Sequence, residues 1–503
     1  MDYANLLDQT KDVVRRLRYF EYLDNLLYFD RWAGGCPKDG FSFGQEVNGF
    51  VVKRRDDLLM SDDSRRAVSA LKQMGEGDFA SDVDRGAARW LIRRFDEAVK
   101  VPAELSAALS AANAEGQRVW AECLAKKDFQ AFLPALKTQF DLQEKIARAI
   151  APEARVYDTI MSRCDPSYTC DEVDQIFEAV KTGVSDVLEK SGAAWEGVDA
   201  SVVSAADEGL SAEAADALVA KVSPMLGANP DRTTSWRVHH PVTVCMGPRD
   251  GRPSTYSYGV MGVVQSMIAK AHETGHSLYG CGSSDEVVDA GLWGGIEGFM
   301  HESQSRFYEN HVFRGKAFWQ SMLPVLREAC PGVGDVDVET FWGAINKPVA
   351  GPSRLKADEL TYPLHIIIRH ELERDYFDGK LALADFEDAW NEKYQSYLGV
   401  TPADASEGVL SDVHWASGCV GYFFSYALGD LYAAQFEHAL LADVPDAYGR
   451  LAAGDATAVR DWLATHVWCH GQTYTAPEAL RVATGEDLNP QYYVNYLSEK
   501  FSI

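Results

Sequence analysis

The sequence predicts a mainly α protein with one small β-sheet near the middle of the chain. Three observations carry this expectation. Apolar residues recur at spacings of three and four through most of the first half. Strand-like alternation is confined to "RTTSWRVHHPVTVC" and "PSTYSYG". No 20- to 50-residue repeat and no Pro- or Ser-rich linker divides the 503 residues, a length that suits one large or two medium cores.

Taken in order, "DYANLLDQTKDVVRRLRYFEYLDNLLYF" opens the chain with a long helical pattern. "SRRAVSALKQM", "AARWLIRRFDEAV" and "ELSAALSAANAEGQRVWAECLA" repeat the same spacing, and "DFQAFLPALKTQFDLQEKIARAI" carries it past a Pro. "TCDEVDQIFEAVKTGVSDVLEK" starts at Thr169, placed as an N-cap. The Ala-, Ser- and acid-rich stretch over 200–222 reads as a pair of surface helices. The two strand segments follow, and helical patterns resume with "MIAKAHETGHSLYG", closed by Gly280. The organisation expected is a single domain over 1–503, with an N-terminal helical part at roughly 1–235 and a catalytic part at roughly 236–503.

Composition narrows the partners. A net charge of -27 repels phosphate backbones, which argues against nucleic acid. The first residues have no apolar leader-like run, and "GCVGYFFSYALGDLYAAQ" is too short to span a bilayer and is interrupted by Asp430, so no membrane segment is expected. Nine scattered cysteines without a CxxC pair read as reduced thiols in a cytoplasmic protein.

All twelve histidines lie at or after His239, so imidazole chemistry belongs to the second half. His272 and His276 stand one helical turn apart on one face, with Glu273 beside them. In this HExxH spacing two imidazoles hold one Zn²⁺ and the Glu serves a metal-bound water as general base. The motif is short enough to recur by accident, so a third ligand decides. A metzincin continuation would need Gly at 279 and His at 282; the chain has Tyr279 and Gly282. A carboxylate from a following helix remains, and Glu302 in "GLWGGIEGFMHESQSRFYENHV" is the choice. Gly295, Gly298, Arg306 and Glu309 share its side, the glycines permitting close approach and Arg306 placed to orient Glu302. His301 points about 100° away from it, and Glu297, Asp285 and Asp289 rank lower.

"HETGH" followed by "HESQSRFYEN" resembles the carboxypeptidase Taq family of metallocarboxypeptidases. "SRLKADELTYPLHIIIRHELE" resembles that family's IRxxAD segment, and "SDVHWASGCVGYFFSYALGDLYAAQ" its DxHW and GYFPTY segments. "HHPV" and "GPRDGRPST" stand where the family has HPF and DxRxT. The likeness covers nearly the whole chain and is strongest over 240–435. The resemblance implies a large helical zincin-type peptidase with a deep cleft, a small sheet beside the active site, Zn²⁺ replaceable by Co²⁺, and a homodimer. It implies cleavage of peptides bearing a free C-terminus, with His272, His276 and Glu302 on the metal and Glu273 as base. By position in the family-like segments, Tyr422 and His240 would serve the oxyanion. Arg354 and then Arg252 would clamp the substrate carboxylate, and Asp412 and His414 would shape the substrate site. A plain ion pair of Arg354 with Asp358 is the alternative at that position. The chain departs from the family at Val242, Ser254, Ser353 and Ser411, which touches substrate preference more than reaction type. Two other functions remain open: a zinc oligopeptidase without a carboxylate clamp, and a catalytically silent relative that binds peptides.

Overall fold

The computed structural model describes residues 3–257 and 259–502; Tyr258, in the second strand segment, lies outside them. Four helices come first: α1 (Tyr3–Trp32), α2 (Phe41–Leu59), α3 (Asp62–Leu71) and α4 (Asp82–Lys100). Ser61 and Ser81 cap α3 and α4 by accepting from Ser64 N and Asp84 N, satisfying backbone donors that a helix start leaves open. Leu6, Val14 and Leu17 of α1 pack with Val68, Leu71 and Leu91 in a core of their own. Val287, Ala290 and Leu292, from far along the chain, complete it.

Helices α5 (Ala103–Lys126), α6 (Phe129–Ile150), α7 (Val156–Cys164) and α8 (Cys170–Trp195) belong to the larger core. Thr169 caps α8 as its sequence position predicts, and Glu172 returns the bond to the Thr169 N–H. The stretch expected as surface helices forms α9 (Ser201–Ala205) and α10 (Ala212–Met225). That expectation needs correction for α10, which buries Leu218, Val219 and Val222 and packs along the HExxH helix, with Ser223 Oγ 2.7 Å from Thr274 Oγ1.

The sheet has three strands: β1 (Trp236–Val238), β2 (Thr243–Gly247) and β3 (Asp250–Tyr256), in the order β1-β3-β2. β3 runs parallel to β1 and antiparallel to β2. Pro253 therefore lies in the central strand, where a missing N–H is costly. β1 pairs only from Ser254 onward, so no bond to β1 is forgone at 253. Ser254 Oγ and the Val242 N–H and carbonyl lie 2.7 Å apart, tying the β2 entrance to β3.

Against this sheet lies α11 (Val263–Gly280), the HExxH helix, with Met267, Ala271 and Thr274 fully buried. A connector carrying α12 (Asp285–Asp289) leads to α13 (Phe299–Arg306), which runs directly into a π-helical segment over Phe307–Phe313. Then come α14 (Lys316–Ala329), α15 (Val338–Asn346), α16 (Tyr362–Phe377), α17 (Phe386–Leu398) and α18 (Phe424–Asp443). α13 is held between α11 and α18. Shorter helices close the chain, the last over Gln491–Phe501. Among the described residues no helix is long and apolar enough to cross a membrane.

Candidate active site

Helices α11 and α13 bring three donors together. His272 Nε2 and His276 Nε2 each lie 3.8 Å from Glu302 Oε2, and all three donor atoms fall within 4.8 Å of one another. Ligands about 2.0–2.2 Å from one tetrahedral ion stand roughly 3.3–3.6 Å apart, so this spacing leaves room for a cation. The approach of the two helices depends on a glycine inside the motif. A Cβ on Gly275 would sit 2.4 Å from the Gln304 carbonyl oxygen and 2.7 Å from Ser305 Cα. Gly429 of α18 does the same behind Glu302, where a Cβ would stand 2.7 Å from the Glu302 Cβ. Of the glycines singled out in the sequence, Gly295 does face α11, through Tyr279, whereas Gly298 packs against Asp165.

Each donor has a buttress. Glu309, on the π-helical segment, places Oε2 2.9 Å from His272 Nδ1. Burial opposes the charged form of Glu309, but Arg306, His272 and Arg314 hold its carboxyl far below the usual range. Burial also opposes a charged His272 ring; the Glu309 bond and the surrounding carboxylates outweigh it and push the imidazole up to about 9. His276, in contrast, is held well below the ordinary imidazole range by burial and by the His272 charge. His276 Nδ1 meets His301 Nδ1 at 2.8 Å, and His301 Nε2 lies 3.0 Å from the Gly294 carbonyl. Ser305 Oγ lies 3.1 Å from Glu302 Oε2. Arg306 does not hold Glu302, contrary to the sequence expectation. It donates to Asp430 (2.6 Å) and Glu309 (3.0 Å) and stacks over the Tyr362 ring. The reason is Asp430 of α18: that carboxylate is buried, and burying it without a partner would cost several kcal/mol, about 3–5 by removal of one member of such a pair. Arg306 therefore supports His272, through Glu309.

Glu273 is buried beside the trio, and burial raises its carboxyl above the ordinary range. The Thr243 hydroxyl of β2 lies 2.7 Å from both its carbonyl oxygen and Oε2. The phenol of Tyr422, half-buried, is pushed far up by burial and by the nearby Glu302 charge. His240 is exposed, and desolvation with the charges of Arg354 and His272 lowers its ring below the ordinary imidazole range.

The residues expected to face substrate fall differently from one another. Arg354 is buried and donates through Nε and Nη2 to Asp412 and through Nη1 to Tyr362. Its alternative partner is corrected: Asp358 instead accepts from the N–H groups of Leu360 and Thr361 at the start of α16. Arg369, fully buried and passed over in the sequence, donates to the other oxygen of Asp412 at 2.6 Å. Burial raises the Asp412 carboxyl, and the Arg369 and Arg354 charges reverse that and hold it far below its usual range. His414 packs at a tilt against Phe423 and reaches Tyr426 OH at 3.1 Å. Arg252 pairs with Asp250, two residues away on its own strand, and covers the Phe29 ring. Of the lower-ranked carboxylates, Glu297 pairs with Arg94 and Asp285 with Arg249.

A second group of metal-type donors, Cys170, Asp174 and His370, lies elsewhere. There His370 Nε2 is 2.9 Å from Asp174 Oδ1, and Arg374 donates to that same oxygen at 2.9 Å. Hydrogen bonds and the Arg374 guanidinium already close that cluster.

Fold and site together define a helical metallopeptidase. The chain belongs to the carboxypeptidase Taq (M32) metallopeptidase family, whose sequence model matches residues 9–501. It is 30% identical over 492 residues to carboxypeptidase 1 of Bacillus subtilis (strain 168), covering 98% of this chain and 97% of that one. Against thermostable carboxypeptidase 1 of Thermus thermophilus it is 31% identical over 423 residues, 81% of each. The solved carboxypeptidase of Pyrococcus furiosus is similar in structure with a TM-score of 0.93 at 27% identity, covering 99% of both chains. The protein is a metallocarboxypeptidase, a peptide hydrolase.

Proposed function

We propose that this carboxypeptidase binds Zn²⁺ through His272, His276 and Glu302 and removes C-terminal residues from peptides with Glu273 as general base. The single observation behind it is the 3.8 Å separation of Glu302 Oε2 from both imidazole Nε2 atoms. Imidazole and carboxylate donors in a three-ligand set suit zinc and also admit Co²⁺. When bound, such an ion supplies Lewis acidity, polarising the scissile carbonyl and lowering the pKa of water toward about 7. Glu273 takes the proton from the attacking water and returns it to the departing amine. Thr243 holds its carboxylate in place for both transfers. Tyr422 and His240 donate to the carbonyl oxygen as it gains charge. Arg354 receives the substrate carboxylate on the second hydrogens of its terminal nitrogens, the others being spent on Asp412 and Tyr362. Arg252, tied to Asp250, serves the sheet.

The commitment of Arg354 to Asp412 favours one alternative, a zinc oligopeptidase that needs no carboxylate clamp. Arg354→Ala separates the two: loss of exopeptidase activity with the metal retained supports the clamp, and unchanged kcat/KM favours endopeptidase action. Chelator-sensitive release of C-terminal residues from blocked dipeptides sets activity against a catalytically silent peptide binder. Metal content of the purified protein beside Glu302→Ala tests the site itself, the variant being expected to lose the ion. The homodimer and the cytoplasmic setting rest on the family resemblance and on nine free cysteines; sedimentation of the purified protein tests the first.

A further inference from the structure

We infer that His301 is a positioning residue that decides which nitrogen of His276 carries hydrogen, and so which one faces the metal. The inference rests on the reading of His276 as a metal ligand. His301 precedes Glu302 and meets the ring of His276 through Nδ1, closing a relay of two rings and a carbonyl. Gly294, at φ 100°, turns its carbonyl oxygen toward His301 Nε2 at 3.0 Å. A carbonyl can only accept, so the hydrogen is on His301 Nε2. The neutral ring then has a bare Nδ1, and that atom lies 2.8 Å from His276 Nδ1. Two bare nitrogens at this distance repel, so His276 carries its hydrogen on Nδ1 and donates it. The lone pair of the neutral His276 ring is thereby assigned to Nε2, the atom that faces Glu302 Oε2 at 3.8 Å.

The surroundings hold His301 in this pose. The Tyr279 ring stands edge-on to it at 5.0 Å, and Tyr279 OH is fixed by the Ile296 N–H at 2.9 Å. Gly295 cannot take a side chain, since its Cβ would lie 2.5 Å from the Tyr279 ring. Arg18 of α1 anchors the residue before Gly294 by donating to the Trp293 carbonyl at 2.8 Å. The two imidazoles of the motif are thus oriented by different chemistry. His272 is held by a carboxylate, Glu309. His276 is held by an imidazole backed by main chain, which adds no further negative charge beside Glu302 and Glu273.

Two polar variants of similar size separate this role from packing. In His301→Asn the amide oxygen stands near the lost Nδ1 and accepts from His276. In His301→Gln the amide reaches the place of Nε2, keeping the Gly294 contact and losing the acceptor. The dissociation constants of Zn²⁺ and Co²⁺ are measured by chelator competition on the full-length chain. His301→Gln is expected to weaken binding about 10–100-fold, the usual cost of losing a ligand-orienting partner. His301→Asn is expected to hold the ion nearly as tightly as the unchanged protein. If Asn binds as weakly as Gln, or Gln as tightly as the unchanged protein, the positioning role is overturned. An unchanged protein that takes up no ion would instead remove the ligand reading on which the role depends. Thermal unfolding of the metal-free variants gives the packing cost separately.

Discussion

At the scale of single residues, the site depends on contacts that bring in elements distant in sequence. Thr243 reaches Glu273 from the sheet, across 30 positions of chain. Thr243→Val keeps the shape and removes the hydroxyl, so the Glu273 carboxylate loses its anchor. A misplaced catalytic group costs about 10–100-fold, and kcat is expected to fall by that amount with metal content unchanged. Equal kcat in steady-state assays would show that Glu273 needs no such anchor. Glu309→Gln acts one step further out. It leaves a partner for Arg306 but weakens the hold on His272 Nδ1, so the dissociation constant for the metal, by chelator competition, is expected to rise about 10–100-fold. The donors themselves were legible in the sequence because they sit at helical spacing within short motifs. Their supports were not. Counting along a helix put Arg306 beside Glu302, but no count reveals a buried Asp430 on another helix competing for the same guanidinium. Arg369 lay unnoticed in an apolar helix pattern for the same reason: its partner, Asp412, is 43 residues away.

At the scale of elements, the approach of α11 and α13 sets the spacing of the donors. Gly275 permits it, and nothing in the residue pattern signals this, since a glycine between two motif residues reads as a mere weakness in the helix. Gly275→Ala must push apart two backbones already in contact. Overpacking of this kind costs typically about 1–3 kcal/mol, and the displaced carboxylate should lose the ion as well. Chemical denaturation and metal analysis of the purified variant check both; a variant with unchanged stability and full metal content would mean that the helices can part freely. The helices and the place of the sheet were readable because their periodicities are long and unambiguous. The π-helical turn at Phe307–Phe313 was not, because its residues suit an α-helix equally well. The burial of α10 was missed because an Ala-rich face gives little apolar contrast, while the helix it covers lies some 50 residues further on.

At the scale of the molecule, two cores meet at the connector between the metal helices. Val287, Ala290 and Leu292 of that connector are built into the core of α1, α3 and α4. Arg15 and Arg18 of α1 donate to the carbonyls of Asp289 and Trp293. The N-terminal helices therefore grip the segment that joins α11 to α13, and the small core is expected to unfold together with the large one. Leu91→Ala in α4 opens a cavity in the small core at a cost of about 2–5 kcal/mol. With an unfolding entropy of about 2.1 cal/mol/K per residue, the 503-residue chain loses about 1 °C of Tm per kcal/mol. The variant should then melt about 2–5 °C lower. Metal at a thousand times its dissociation constant stabilises the folded state by about 4 kcal/mol, so a chelator should lower Tm by about 4 °C. If the connector couples the cores, calorimetry of Leu91→Ala shows one transition, and the chelator moves it by the same increment as in the unchanged protein, because the substitution and the metal site share no partners. An early transition that ignores the chelator, followed by a later one that responds to it, would mean that the small core melts alone and that the grip on the connector does not reach the site.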